Sequence, residues 1–148
     1  MPRRLVVLIA LAAVIALGCD APGSPPSGDA LPSTLAATGW RVVRVNGRAP
    51  IPGREPTLAF EVERVGGSGG CNHIGARYRY DPRNGALEIT DAGGTAMACV
   101  EAGVTEFEGL FMTALAGSTK AALDGSGRLV LFGPGSEILL APDPGARQ

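Results

Sequence analysis

The sequence predicts an α+β domain that is mainly β: a curled or barrel-like antiparallel sheet with one main helix packed against it. Three observations carry this. Short runs of alternating apolar and polar residues recur along the chain, separated by turn signals rich in Gly, Pro and Asn. A single stretch, 105–115, sets its apolar residues at helical spacing. Strands and helices nowhere alternate as a parallel sheet requires.

The elements follow in order. Trp40–Val45 is the first strand, and Asn46-Gly47 after it is a strong turn signal. Thr57–Val62 alternates, with Leu58, Phe60 and Val62 expected on one face. The cluster Gly66–Gly70 reads as a bend or bulge where a sheet turns a corner. Ala76–Tyr80 sets Tyr78 and Tyr80 against Arg77 and Arg79 on the opposite face. Asp81–Gly85 is a turn, and Ala86–Ile89 is the returning strand of a hairpin.

In the helix, Thr105 and Glu108 make a capping-box pattern. Phe107, Leu110, Phe111, Ala114 and Leu115 share one face, and Gly117 is expected to stop the helix. Gly109 weakens it by about 1 kcal/mol relative to alanine. A meander closes the domain through Lys120–Leu123, Arg128–Phe132 and Glu137–Ala141.

The N-terminus reads as an address. Met1-Pro2-Arg3-Arg4 is basic, Leu5–Leu17 is apolar, and Gly18-Cys19 ends the run. This predicts a signal peptide over 1–18; the competing reading is a permanent membrane helix, for which the run is short. Ala16-Leu17-Gly18-Cys19 resembles a bacterial lipobox, which implies lipidation of Cys19; an ordinary signal-peptidase site is the alternative. Acyl chains at Cys19 would anchor the protein to membrane lipid. Residues 19–37 are then the lipidated cysteine and a disordered tether rich in Pro, Gly and Ser, reaching about 60 Å when stretched. The folded domain is expected over 38–142, with a disordered tail at 143–148. The expected location is the cell envelope, either outside the cytoplasmic membrane or in the outer membrane facing the periplasm.

The 148 residues leave room for one domain. The formal net charge is −1 and no basic patch is legible, which argues against a nucleic-acid partner. There are three cysteines. If Cys19 carries lipid, Cys71 and Cys99 remain as an even pair in an exported protein, where disulfides persist. A clamp there would stabilise the fold by about 3–4 kcal/mol. The alternatives are a redox pair or half of a metal site. Cys71, His73 and Cys99 form an incomplete zinc set, and there is no Cys-x-x-Cys. The glycine run lacks the Gly-Lys-Ser/Thr ending of a phosphate loop. No nucleophile–base pair is legible, so no catalytic residue, metal or cofactor is assigned. Asn72 is expected to fix its loop through local backbone bonds. The stripe Phe107, Leu110, Phe111 and Leu115 is either core or the lining of an apolar pocket between helix and sheet.

Several of these residues also carry a resemblance. A tryptophan strand at Trp40, Gly70-Cys71-Asn72 followed by Gly75, Thr95-Ala96-Met97-Ala98-Cys99, a Glu-Phe-bearing helix and a terminal Leu-x-Leu hairpin together resemble the META (HslJ-like) domain family. The likeness covers about 38–142. It implies a barrel-like sheet with a packed helix, an envelope protein without catalytic activity, and a setting in heat or antibiotic stress tolerance. It further implies a binding or scaffolding role, with an envelope protein, peptide or lipid as partner. The alternative is a carrier of lipid or another small apolar ligand, and a likeness to a lipid-binding secretion pilot protein has been noted for the family.

Overall fold

The structure, a computed structural model, describes residues 30–147. The predicted signal peptide, Cys19 and tether residues 20–29 lie outside the described residues. Eight strands form a closed barrel in chain order. They are β1 (Thr38–Val45), β2 (Thr57–Phe60), β3 (Arg64–Ser68), β4 (His73–Asp81), β5 (Ala86–Gly94), β6 (Lys120–Leu123), β7 (Leu129–Gly133) and β8 (Ser136–Pro142). The helix α1 (Val104–Ala116) lies between β5 and β6, and a short 3-10 helix (Pro144–Arg147) follows β8. Each strand runs antiparallel to its neighbours, and β8 closes on β1, with Val42 opposite Leu140.

Alternation in the strands delivers the core. Trp40 and Val42 of β1, Leu58 and Phe60 of β2, Tyr78 of β4, Leu129 and Leu131 of β7, and Ile138 and Leu140 of β8 are all buried in one cluster. The rings of Phe60 and Tyr78 meet edge to face, centroids 5.1 Å apart. Burial raises the pKa of the Tyr78 phenol, whose hydroxyl donates to Glu61 O at 2.7 Å.

Up-and-down connection puts alternate turns at opposite ends. The helix lies at the end holding the β1–β2, β3–β4 and β7–β8 connections. Arg48 pairs with Glu106 there at 3.2 Å, and Ser136 lies beside Gly117. Phe107, Phe111, Ala114 and Leu115 enter the barrel core, with Leu110 and Met112 partly buried against it. The other end is crossed by residues 30–37, here called the strap. Leu35 is 1% exposed and belongs to the core. Leu123 N–H donates to Ala30 O at 2.8 Å, Tyr80 Oη–H to Pro32 O at 2.8 Å, and Ala37 N–H to Phe60 O at 2.8 Å. The barrel is therefore closed by the helix at one mouth and by a leucine at the other.

Five expectations are corrected. The disordered tether does not extend to residue 37, because the barrel mouth offers Leu35 an apolar site. The tail is not disordered through 143–147, because Asp143 N–H donates to Gly39 O at 2.8 Å and the 3-10 helix lies against β1 and β2. Val62 does not share the face of Leu58 and Phe60. β2 ends at Phe60, the chain turns through Glu63 at φ 61°, and Val62 is 78% exposed. The glycine cluster is not only a bend, since Arg64–Ser68 is a full strand paired on both sides.

The capping box is not used either. The helix starts after Gly103, at φ 82°, with no side-chain cap, and Glu108 turns elsewhere. Gly117 does stop the helix, but in a right-handed conformation at φ −82°. The next residues are drawn into the sheet, where Thr119 N–H donates to Phe132 O at 2.9 Å.

Candidate functional site

The polar chemistry of the interior gathers at one corner, where the β3–β4 connection meets the segment before α1. Gly70, at φ 109°, turns the chain in a region closed to most side chains. A Cβ at Gly69 would strike the side chain of Glu108, so this glycine opens the way for that carboxylate. Asn72 follows, only 6% exposed.

Each side-chain atom of Asn72 with hydrogen-bonding capacity is engaged. Its Nδ2 donates to Glu108 Oε1 at 2.6 Å and also faces Cys99 Sγ at 3.8 Å. Its Oδ1 accepts from Met97 N–H at 2.7 Å and from the Thr95 hydroxyl at 3.0 Å. Glu108 Oε2 accepts from the backbone N–H groups of Asn72 at 2.8 Å and Cys71 at 3.3 Å. Beside this network Cys71 and Cys99 form a disulfide, Cα atoms 6.1 Å apart and 28 residues apart in sequence. One covalent bond and six hydrogen-bond contacts thus join the β3–β4 turn, the 95–99 segment and the helix.

The corner brings together Cys71, Asn72, Thr95, Met97 and Cys99. Gly70 shapes it, and Thr95 also ties to β4, its N–H donating to His73 O at 2.9 Å. Trp40 and Gly75 lie elsewhere. Trp40 is in the barrel core, with its indole N–H donating to the Thr38 hydroxyl at 2.7 Å. Gly75 stands opposite Gly66 on β3 and Gly93 on β5, and Gly66 stands opposite Ala59 on β2, in a row of small residues across the wall. Phe107, Phe111 and Leu115 fill the core beneath the helix, and Leu110 packs at its margin.

Sequence reasoning does not find Glu108 as a site residue. In sequence it reads as a capping partner of Thr105, and no local signal ties it to Asn72, 36 residues away. Met97 at 54% and Val100 at 100% exposure stand out from the loop that the corner holds. Among the described residues, no three of His, Cys, Asp or Glu converge as metal ligands would. A groove of about 340 Å³ lies at the opposite mouth, lined by Leu35 and Ala36 of the strap, Val62 and Glu63 of the β2–β3 turn, and Tyr78 and Tyr80.

These features define a helix-capped, eight-stranded antiparallel barrel with a crosslinked corner. The META domain family matches residues 33–144, and the chain belongs to that family. Solved structures agree on the fold. A protein from Burkholderia xenovorans, determined by NMR, is 21% identical, with a TM-score of 0.64 over 87% of this chain and 99% of that one. A second NMR structure is 19% identical, with a TM-score of 0.56 over 70% of this chain and 87% of the other. A crystal structure of a duf4847 family protein from Bacteroides vulgatus ATCC 8482 is 18% identical, with a TM-score of 0.50 over 72% and 93%. No curated protein matches the sequence.

Proposed function

We propose that this protein is a membrane-anchored lipoprotein of the cell envelope whose META domain is a non-catalytic binding or scaffolding module serving stress tolerance. One observation carries the module reading: the amide, carboxylate and sulfur groups of the corner all engage one another. Asn72, Glu108, Cys71 and Cys99 make a rigid support for the 95–103 loop, which presents Met97 and Val100 to solvent. A carboxylate holding backbone N–H groups in place is working as a strut. The anchor reading rests on the leader and Cys19 in the sequence.

Two measurements test this. Intact mass of protein extracted from membranes should show acyl groups on Cys19; an unmodified soluble product refutes the anchor. Chemical crosslinking in intact cells should join the 95–103 loop to a specific envelope protein, and Met97→Ser with Val100→Ser should abolish that product. Equal crosslinking by the variant refutes the module surface.

The second reading, a carrier for lipid or a small apolar ligand, is favoured by the groove of about 340 Å³ at the strap. Native mass spectrometry with lipid extraction separates the two, since a carrier leaves the cell with a bound mass and a scaffold does not.

A further inference from the structure

The strands divide their charge unevenly around the barrel. β6, β7, β8 and β1 are neighbours, and they carry Arg41, Arg44 and Lys120 against a single acid, Glu137. β2–β5 balance Arg64, Arg77 and Arg79 with Asp81, Glu88 and Asp91. On the first wall these charges alternate with core residues and so point outward. Apolar residues stand between them. Arg44 is opposite Leu139, Arg41 is opposite Ala141, and Phe132 is opposite both Lys120 and Glu137. Phe132 is 39% exposed, Val43, Leu139 and Ala141 are half-buried, and Ala122 and Val130 form a buried floor. Arg44 is exposed and makes no ion pair among the described residues.

The described chain also enters the domain at this wall. Ala30 is bridged to Leu123 at the end of β6. Cys19 lies only eleven residues before Ala30, within about 36 Å even when the chain is fully extended.

We infer that the β6–β7–β8–β1 wall rests on an anionic lipid bilayer, with Arg41, Arg44 and Lys120 against the headgroup phosphates and Phe132 among the headgroups. The inference deepens the anchored-module reading and takes the place of Cys19 from it. A lipid surface suits the chemistry of the wall. Long cationic side chains cover apolar surface with their stems while their heads reach phosphate. An aromatic ring between them matches the interfacial layer. Glu137 is the one repulsive group on these strands. The 95–103 loop follows β5 and is crosslinked to the β3–β4 connection, across the barrel from β7 and β8. A domain lying on this wall therefore holds Met97 and Val100 away from the bilayer.

Tryptophan quenching by brominated lipid tests this on the full chain, expressed in cells and extracted from membranes. The vesicles contain phosphatidylethanolamine and phosphatidylglycerol with brominated acyl chains. The unsubstituted protein sets the background, because its one tryptophan, Trp40, is in the core. Phe132→Trp should be quenched well above that background, and Val100→Trp should not. Leu139→Trp reports from the same wall should Phe132→Trp misfold. Each cation removed should weaken contact about fivefold, so adding Arg41→Gln and Arg44→Gln to Phe132→Trp should abolish most of the quenching while the protein stays on the vesicle.

Equal quenching of Phe132→Trp and Val100→Trp overturns the inference, as does background quenching at both wall reporters in protein that floats with the vesicles. Quenching indifferent to the two arginines also overturns it. So does a wall reporter already shielded before vesicles are added and unchanged by them, which assigns the wall to another occupant. Intact mass separates this from the anchor reading. An unmodified Cys19 with phosphatidylglycerol-dependent quenching of Phe132→Trp removes the anchor and keeps the wall; an acylated Cys19 without that quenching does the reverse.

Discussion

Replacing Asn72 with alanine measures what the corner contributes to stability. The side chain is buried and bonds to three different segments. Its bond to the Glu108 carboxylate is charge-assisted, a kind that contributes about 1.5–3 kcal/mol. The bonds from Met97 N–H and the Thr95 hydroxyl contribute about 1 kcal/mol each. Met97 is half exposed, so its N–H regains water in the variant and part of the loss is recovered. The expected destabilisation is about 2–4 kcal/mol. Urea unfolding under oxidising conditions, followed by the fluorescence of Trp40, reads it directly, since this is the single tryptophan and it is buried. Glu108→Ala completes a double-mutant cycle, and the two residues should couple by about 1–2 kcal/mol because they share a hydrogen bond. A cost for Asn72→Ala below about 1 kcal/mol, or additivity of the two changes within about 0.5 kcal/mol, would refute the corner as a cooperative unit.

Three further outcomes are expected. Removing the disulfide with Cys71→Ser/Cys99→Ser should lower stability by about 3–4 kcal/mol, from the loop of 28 residues it closes, as read by denaturant midpoint without reductant. Gly109 lies on the exposed face of α1, where an added Cβ would meet nothing within 4 Å, so Gly109→Ala should stabilise by about 0.5–1 kcal/mol and raise the melting temperature. On the acid side, hydrogen bonds from Arg83 bring the Asp81 carboxyl down to about 2, and those from Ser126 and Arg128 hold Asp124 well below the ordinary carboxylate range. Depressed carboxyls stabilise above their unfolded pKa, and that contribution is lost as pH falls from about 4 towards 2. Asp81→Asn and Asp124→Asn should therefore flatten the pH dependence of stability across that window, and an unchanged slope would contradict the assignment.

Much of the wall was legible from residues alone. The alternation Tyr78-Arg79-Tyr80 placed the tyrosines inward, because side-chain direction in a strand follows the residue's own position. Asn46 and Gly47 make their turn at φ 48° and 79°, as their tolerance of positive φ implies. The glycine-rich run was harder. Arg64–Ser68 has little intrinsic preference for a strand and becomes one because β2 and β4 offer hydrogen bonds on both sides. The same holds for Glu108, whose role is set by Asn72 arriving from another part of the chain.

What the sequence determined by itself was local: strand faces, turn positions, the apolar stripe of α1, and a pair of cysteines suited to a clamp. These follow from side-chain periodicity and backbone tolerance, which a few neighbouring residues decide between them. What only the tertiary structure decided was non-local: closure of β8 on β1, Leu35 as the plug of one mouth, and the turning of Glu108 from its own helix end to the β3–β4 loop. Those depend on which apolar site is left open and which N–H groups lack an acceptor once the barrel has formed. No stretch of the chain contains that information until its distant partners are in place.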